Sequence, residues 1–133
     1  MPTNQNSITS HQSVIVIDDE MELAALFKTF LSKEGFDAIS FTDPLIALEY
    51  FRDTFDKHAL IIADMRMPDM NGTELAKRIR QINSKIKIFL VTAFDISDLE
   101  NDSDYKGARI DMLLQKPIHL SNLREMIKSA LKK

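Results

Sequence analysis

From Ser13 onward, the chain alternates between two textures of apolar and polar positions. The first is a set of short runs rich in Val and Ile, at 14–17, 38–41, 60–63, 86–91 and 112–114. They are continuous rather than alternating, the pattern of strands covered on both faces of a parallel sheet. The second has helical spacing. Leu23, Leu26, Phe27, Phe30 and Leu31 predict a first helix with that stripe inward, closed by Gly35 as its C′ residue. Asp43 as N-cap and Pro44 at the first helical position open a second, carrying Leu45, Leu48 and Phe51 or Phe55 inward. A third begins near Thr73, with Leu75, Ala76, Ile79 and Ile82 inward. The last starts near Leu120 or Ser121 and presents Leu123, Ile127 and Leu131.

One helix is weak. Between Asp95 and Gly107 only Ile96, Leu99 and Tyr105 can pack, and Asp95, Asp98, Glu100, Asp102 and Asp104 crowd the same stretch. A short, loosely held fourth helix is expected there, with Gly107 preceding the fifth strand. Strand–helix repeats of this kind predict βαβ units: a parallel sheet with helices on both faces. They fill the chain without a linker, so a single domain over 13–133 follows a polar, disordered tail over 1–12.

Composition narrows the chemistry. A chain of 133 residues can bury roughly two-thirds of its unfolded surface and needs no metal or disulfide to fold. It has no cysteine, which excludes disulfide scaffolds, thiolate zinc sites and Cys nucleophiles. Its three glycines, Gly35, Gly72 and Gly107, lie too far apart for any glycine-rich phosphate cradle. With 17 Lys and Arg against 20 Asp and Glu, the net charge of −3 argues against non-specific nucleic-acid binding. No apolar run approaches the ~20 residues of a membrane span, and the tail is no signal peptide. A cytoplasmic protein is expected.

Ligands of open parallel sheets bind beyond the carboxyl ends of the strands. Asp18, Asp19 and Glu20 follow the first strand, Asp64 the third, Thr92 the fourth, and Lys116 with Pro117 the fifth. Each alone has an ordinary reading, as a helix cap or turn residue. Together they put carboxylates, a hydroxyl and an ammonium on one edge. Crowded carboxylates shift one another's pKa unless a cation neutralises them. Hard oxygen donors without His or Cys point to Mg²⁺. Asp64 is then a candidate carboxylate nucleophile, with Thr92 and Lys116 sharing the charge of a transferred phosphoryl group.

The segments Val14-Ile15-Val16-Ile17-Asp18-Asp19-Glu20, Asp64-Met65-Arg66-Met67-Pro68-Asp69-Met70-Asn71-Gly72, Val91-Thr92-Ala93 and Lys116-Pro117 resemble the receiver domain of two-component response regulators. The resemblance covers essentially everything after the tail. It implies a CheY-like, flavodoxin-like (βα)5 fold: α/β, doubly wound, with a five-stranded parallel sheet in the order 2-1-3-4-5. It implies that Asp64 accepts a phosphoryl group from a sensor histidine kinase or histidine phosphotransfer protein. Asp19, Asp18, Asp64 and the backbone carbonyl of Arg66 would hold Mg²⁺. Thr92 would be the switch hydroxyl and Lys116 the partner of Asp64 or its phosphate, with a cis Lys116–Pro117 bond. The protein would then be a switch that catalyses only its own phosphorylation and dephosphorylation. Met21, Ala24, Ala25 and Lys28, off the inward stripe of the first helix, and Ile118 after Pro117 match the kinase-docking patch. Phe94 stands where bulk shields the acyl phosphate from water.

One position departs from the family. Leu113 falls where a switch aromatic is usual, so the signal is expected to be read as ordering of the weak fourth helix. Rival chemistries fail on single residues. A dehalogenase-type phosphatase needs an Asp where Arg66 stands. A flavin carrier needs a phosphate loop where Asp18 and Asp19 stand. A calcium loop from Asp102 meets Lys106 and Leu113 at ligand positions. The runner-up is a pseudo-receiver, a protein-binding module that is never phosphorylated. No output domain lies in these residues: the chain is either a stand-alone regulator or a receiver cut from a longer protein. The acidic stretch leaves dimerisation through the fourth and fifth helices open.

Overall fold

The computed structural model describes residues 12–93, 99 and 101–132. The strands are β1 (Ser13–Ile17), β2 (Asp37–Phe41), β3 (Leu60–Asp64), β4 (Lys87–Thr92) and β5 (Met112–Gln115). The helices are α1 (Met21–Lys33), α2 (Pro44–Thr54), α3 (Gly72–Ile82), α4 (Ser103–Ala108) and α5 (Leu120–Leu131). All strand pairs are parallel, in the order β2-β1-β3-β4-β5. The chain is therefore doubly wound, as the strand–helix rhythm and the family resemblance imply.

The period of two along each strand divides the apolar runs between two cores. Ile15, Ile17, Ile61, Ala63, Ile88 and Leu90 meet Leu48 and Phe51 of α2, Leu75 and Ile79 of α3, and Ala108 of α4. Val14, Val16, Leu60, Ile62, Phe89 and Val91 meet Phe27 and Leu31 of α1 and Leu123 and Ile127 of α5. The central strands are buried on both sides, which is why their sequences do not alternate.

Several helix faces differ from the sequence pattern. In α1 the line Ala24, Phe27, Leu31 faces the sheet, and Leu26 is 49% exposed. The apolar arc of α1 is wider than a flat sheet can cover, so Leu23 and Phe30 flank the contact and Leu26 lies beyond it. Ala24, expected on the docking face, is instead 2% exposed in the core. In α2, Pro44, Ala47, Leu48 and Phe51 are inward, whereas Leu45 and Phe55 are exposed. Phe55 is the C-cap residue, past the last turn that packs.

The caps follow local chemistry. Asp43 accepts from the Leu45 N–H at 2.9 Å, Asn71 from Glu74 at 2.9 Å, and Asp102 from Asp104 and Tyr105 at 2.8 and 3.1 Å. Gly35 closes α1 with φ +94°, a left-handed conformation that side chains resist. Gly107 precedes β5 as expected but lies inside α4, and Arg109 turns left-handed after it, at φ 51°. The tail before Gln12, Phe94 and the start of the acidic stretch lie outside the described residues.

What anchors α4 is a residue the sequence pattern hides. Arg80 is buried on the packed face of α3. Its guanidinium donates to the carbonyls of Ala108 (2.9 Å), Arg109 (3.1 Å), Ser84 (3.1 Å) and Ile86, and meets Asp111 at 3.4 Å. The planar fork thus satisfies carbonyls at the end of α4 and ahead of β4 at once. Lys77 adds an ion pair to Asp104 at 3.3 Å. Replacing Arg80 by Met should lower unfolding free energy by about 3 kcal/mol, the scale for stripping a buried charged donor from its acceptors. Urea denaturation checks this; a loss no larger than that of Arg78→Met, on the exposed face, would contradict it.

Candidate functional site

The carboxyl ends of β1, β3, β4 and β5 bring the predicted residues together. Asp18 follows β1 directly, and its N–H bonds the Phe41 carbonyl at 3.0 Å, prolonging the β1–β2 pairing. Its Oδ1 accepts the Glu20 N–H at 2.9 Å, which turns the chain into α1. Asp64 and Thr92 are the last residues of β3 and β4 rather than residues after them, and both are buried. Lys116 is held by its own N–H on the Thr92 carbonyl at 2.8 Å and precedes a cis bond to Pro117.

Asp18, Asp19 and Asp64 each offer a carboxylate oxygen, all within 4.8 Å of one another. Lys116 Nζ lies 3.1 Å from Asp64 Oδ1 and 3.6 Å from Glu20 Oε1. Asp64, Thr92 and Lys116 line a recess of about 60 Å³ with Met65, Arg66 and Ala93. This is the arrangement expected of a hard-cation and oxyanion site.

The β3–α3 connection is clamped from both sides. Met65, Met67 and Met70 are buried, leaving Arg66, Pro68 and Asp69 outward. Met65 donates its N–H to Val91 at 2.8 Å and accepts that of Gly72 at 2.7 Å. A Cβ at Gly72 would lie 2.6 Å from the Asp64 carbonyl and 2.9 Å from Met65 Cα. Glycine is required there by close backbone approach, the packing that fixes Asp64.

The electrostatics follow from crowding. Burial, reinforced by the charge of Asp64, pushes Asp18 up to about 6. Burial also raises Asp64, against the pull of its hydrogen bond to Lys116. At Lys116 burial acts downward, but the pair with Asp64 and the charges of Asp18 and Glu20 outweigh it and hold the ammonium above its ordinary range. Lys116 thus answers to several carboxylates at once. The donor set fits a hard divalent cation: carboxylate oxygens, converging, with one of them costly to ionise alone.

Apart from the buried Ala24, the predicted docking residues are partly divided between two grooves. Met21 is 73% exposed at the start of α1. Ala25 and Lys28 line a polar groove beside β2, with Thr29, Ser32 and Ser40. Ile118 lines a different, apolar groove of about 560 Å³ between α1 and the β5–α5 loop, with Leu23, Leu26, Phe27, Pro117 and Leu120. Sequence periodicity had assigned Leu23 and Leu26 wholly to the core; the groove is where that surplus apolar flank goes. Leu113 is half-buried opposite Leu90 and packs on the α2–α3 side core.

Comparisons with known proteins agree with this geometry. A family model described as the response regulator receiver domain matches residues 14–128. The sporulation initiation phosphotransferase F of Bacillus subtilis is 26% identical over 121 residues, 91% of this chain and 94% of that protein. The response regulator receiver protein CpdR of Brucella abortus is 30% identical over 118 residues, 89% of this chain and 95% of that one. The response regulator TrrA of Thermotoga maritima, solved in complex with Mg²⁺ and BeF, superposes with a TM-score of 0.77 at 29% identity, covering 90% of this chain and 99% of that one.

The pKa of Asp18 carries a sign. The folded value of about 6 exceeds the ordinary 3.8, so the folded state holds this proton more tightly than the unfolded chain. Its ionisation costs stability that is absent at low pH and grows as pH rises through about 6. In metal-free protein at neutral pH, Asp18→Asn should therefore stabilise by on the order of 2 kcal/mol, a gain that vanishes toward about pH 4. Urea midpoints across that range check it, and parallel profiles for variant and wild type would contradict it.

Proposed function

The chain belongs to the response regulator receiver domain family, and on that premise we propose that it is a phosphorylation-dependent switch of a cytoplasmic two-component or phosphorelay system. Asp64 accepts a phosphoryl group from the phosphohistidine of a sensor kinase or phosphotransfer protein. The observation that carries this reading is the position of the Asp64 carboxylate: at the end of β3, 3.1 Å from Lys116 Nζ and clustered with Asp18 and Asp19.

Each residue has a role its placement supports. Lys116 favours the ionised, attacking form of the buried Asp64 against the cost of burial, then pairs with the incoming phosphoryl oxygens. Asp18, Asp19, Asp64 and the Arg66 carbonyl would hold Mg²⁺, the ion named in the Thermotoga maritima complex. When bound, that ion neutralises the carboxylates and the charge of the transferred group. Thr92, at the end of β4 on the same recess, offers its hydroxyl to the phosphoryl oxygens. Excess charge thereby becomes a signal, because a new dianion changes what the strand ends and adjoining loops can hold. The protein turns over no separate substrate. The apolar groove lined by Pro117 and Ile118 is the surface for the phosphodonor protein.

The test is phosphorylation itself. Incubated with Mg²⁺ and acetyl phosphate, the protein should gain the mass of one phosphoryl group, and Asp64→Asn should not. No gain, with either the small donor or a cognate kinase, would contradict the proposal and favour a binding module that is never phosphorylated.

A further inference from the structure

Lys116 is divided between two acids of different kind. Asp64, at 3.1 Å, has a side chain 7% exposed; Glu20, at 3.6 Å, has one 67% exposed. Glu20 occupies the N-cap position of α1, yet its carboxylate makes no capping bond. The backbone there is fixed by other means: the Glu20 N–H donates to Asp18 Oδ1 and its carbonyl accepts from Ala24 at 3.0 Å. An acid placed at a helix start is ordinarily explained by the helix. Here the side chain reaches to Lys116 instead, at the rim of the recess that holds Asp64.

We propose that Glu20 is a specificity-determining residue of the phosphoryl-accepting site: it draws Lys116 toward the rim and sets a negative charge where a free phospho-anion enters, disfavouring small anionic donors. This rests on the reading of Asp64 as phosphoacceptor. With an acyl phosphate, the bond from phosphorus to the acyl oxygen breaks, its electron pair leaves with the carboxylate, and a phosphorus–oxygen bond to Asp64 forms. No proton need move. The arriving oxygens require the positive charge of Lys116, and Glu20 both competes for it and repels them. Because Glu20 is exposed, the effect is modest, confined to charge and screened by salt.

Glu20→Gln should take up phosphate from dianionic acetyl phosphate about two- to fivefold faster than wild type at low ionic strength, the rate equivalent of an exposed ion pair. The gain should be smaller with monoanionic phosphoramidate and fall toward parity in 1 M salt, where the screening length is about 3 Å. Glu20→Asp, which keeps the charge, should stay near wild type. An independent reading needs no donor: the Lys116 ammonium signal in ¹⁵N NMR of the metal-free protein should shift in Glu20→Gln. An unmoved signal, or equal or slower uptake by Glu20→Gln where wild type is phosphorylated, would overturn this inference alone. Wild type that takes up no phosphate from any donor would overturn the phosphoacceptor reading and this inference with it.

Discussion

Three carboxylates converge within 4.8 Å, one of them 3.1 Å from the Lys116 ammonium, and that crowding of negative charge is the constraint on which the structure's chemistry depends. Left to themselves, such groups would splay into solvent or protonate. Asp18 and Asp64 stay buried because each stands at the end of a strand whose other residues are locked in the core, and burial raises the pKa of both. Ile17, Ala63 and Val91, one residue before Asp18, Asp64 and Thr92, are all buried. The free energy that crowds the acids comes from hydrophobic burial elsewhere in the domain. Crowded carboxylates beside an ammonium can respond both to a divalent cation and to a phosphoryl group whose oxygens need partners.

The rest of the fold divides into parts that hold this geometry and parts that could report on it. The β3–α3 connection holds it, with three buried methionines and a glycine pressed against the Asp64 carbonyl. Arg80 holds the opposite end, tying the finish of α4 to α3 and to the approach to β4. Thr92 ends β4 at the site, and Ala93 after it lines the same recess. Leu113, standing where a switch aromatic is usual, packs against the core like any other strand leucine. It has no phenol or wide ring edge with which to couple to Thr92.

Much of this was legible in the sequence, for a physical reason. Strands buried on both faces write themselves as continuous apolar runs, and an acid ending such a run has to lie at the sheet edge. The same logic puts Asp18, Asp64, Thr92 and Lys116 at one edge from the sequence alone. Helix faces were harder. The apolar arc of α1 includes Leu26, but a sheet covers only the line through Ala24, Phe27 and Leu31. Small Ala24 read as surface because periodicity weighs large side chains. Arg80 is hidden in the sequence: a charged residue in a helix signals solvent, and its pattern does not reveal that the end of α4 and the segment ahead of β4 supply its acceptors. The link between Glu20 and Lys116 joins the first strand–helix unit to the last, so it too depends on the fold.

The claim that the acidic cluster is built to be neutralised by a divalent cation is tested most directly by thermal unfolding in chelator and in rising Mg²⁺, for wild type and Asp19→Asn. A ligand that binds only the folded state stabilises it by mass action. The account predicts a saturable rise in the wild-type midpoint that Asp19→Asn weakens or abolishes. A wild-type midpoint indifferent to Mg²⁺, or an equal rise in both proteins, would contradict it.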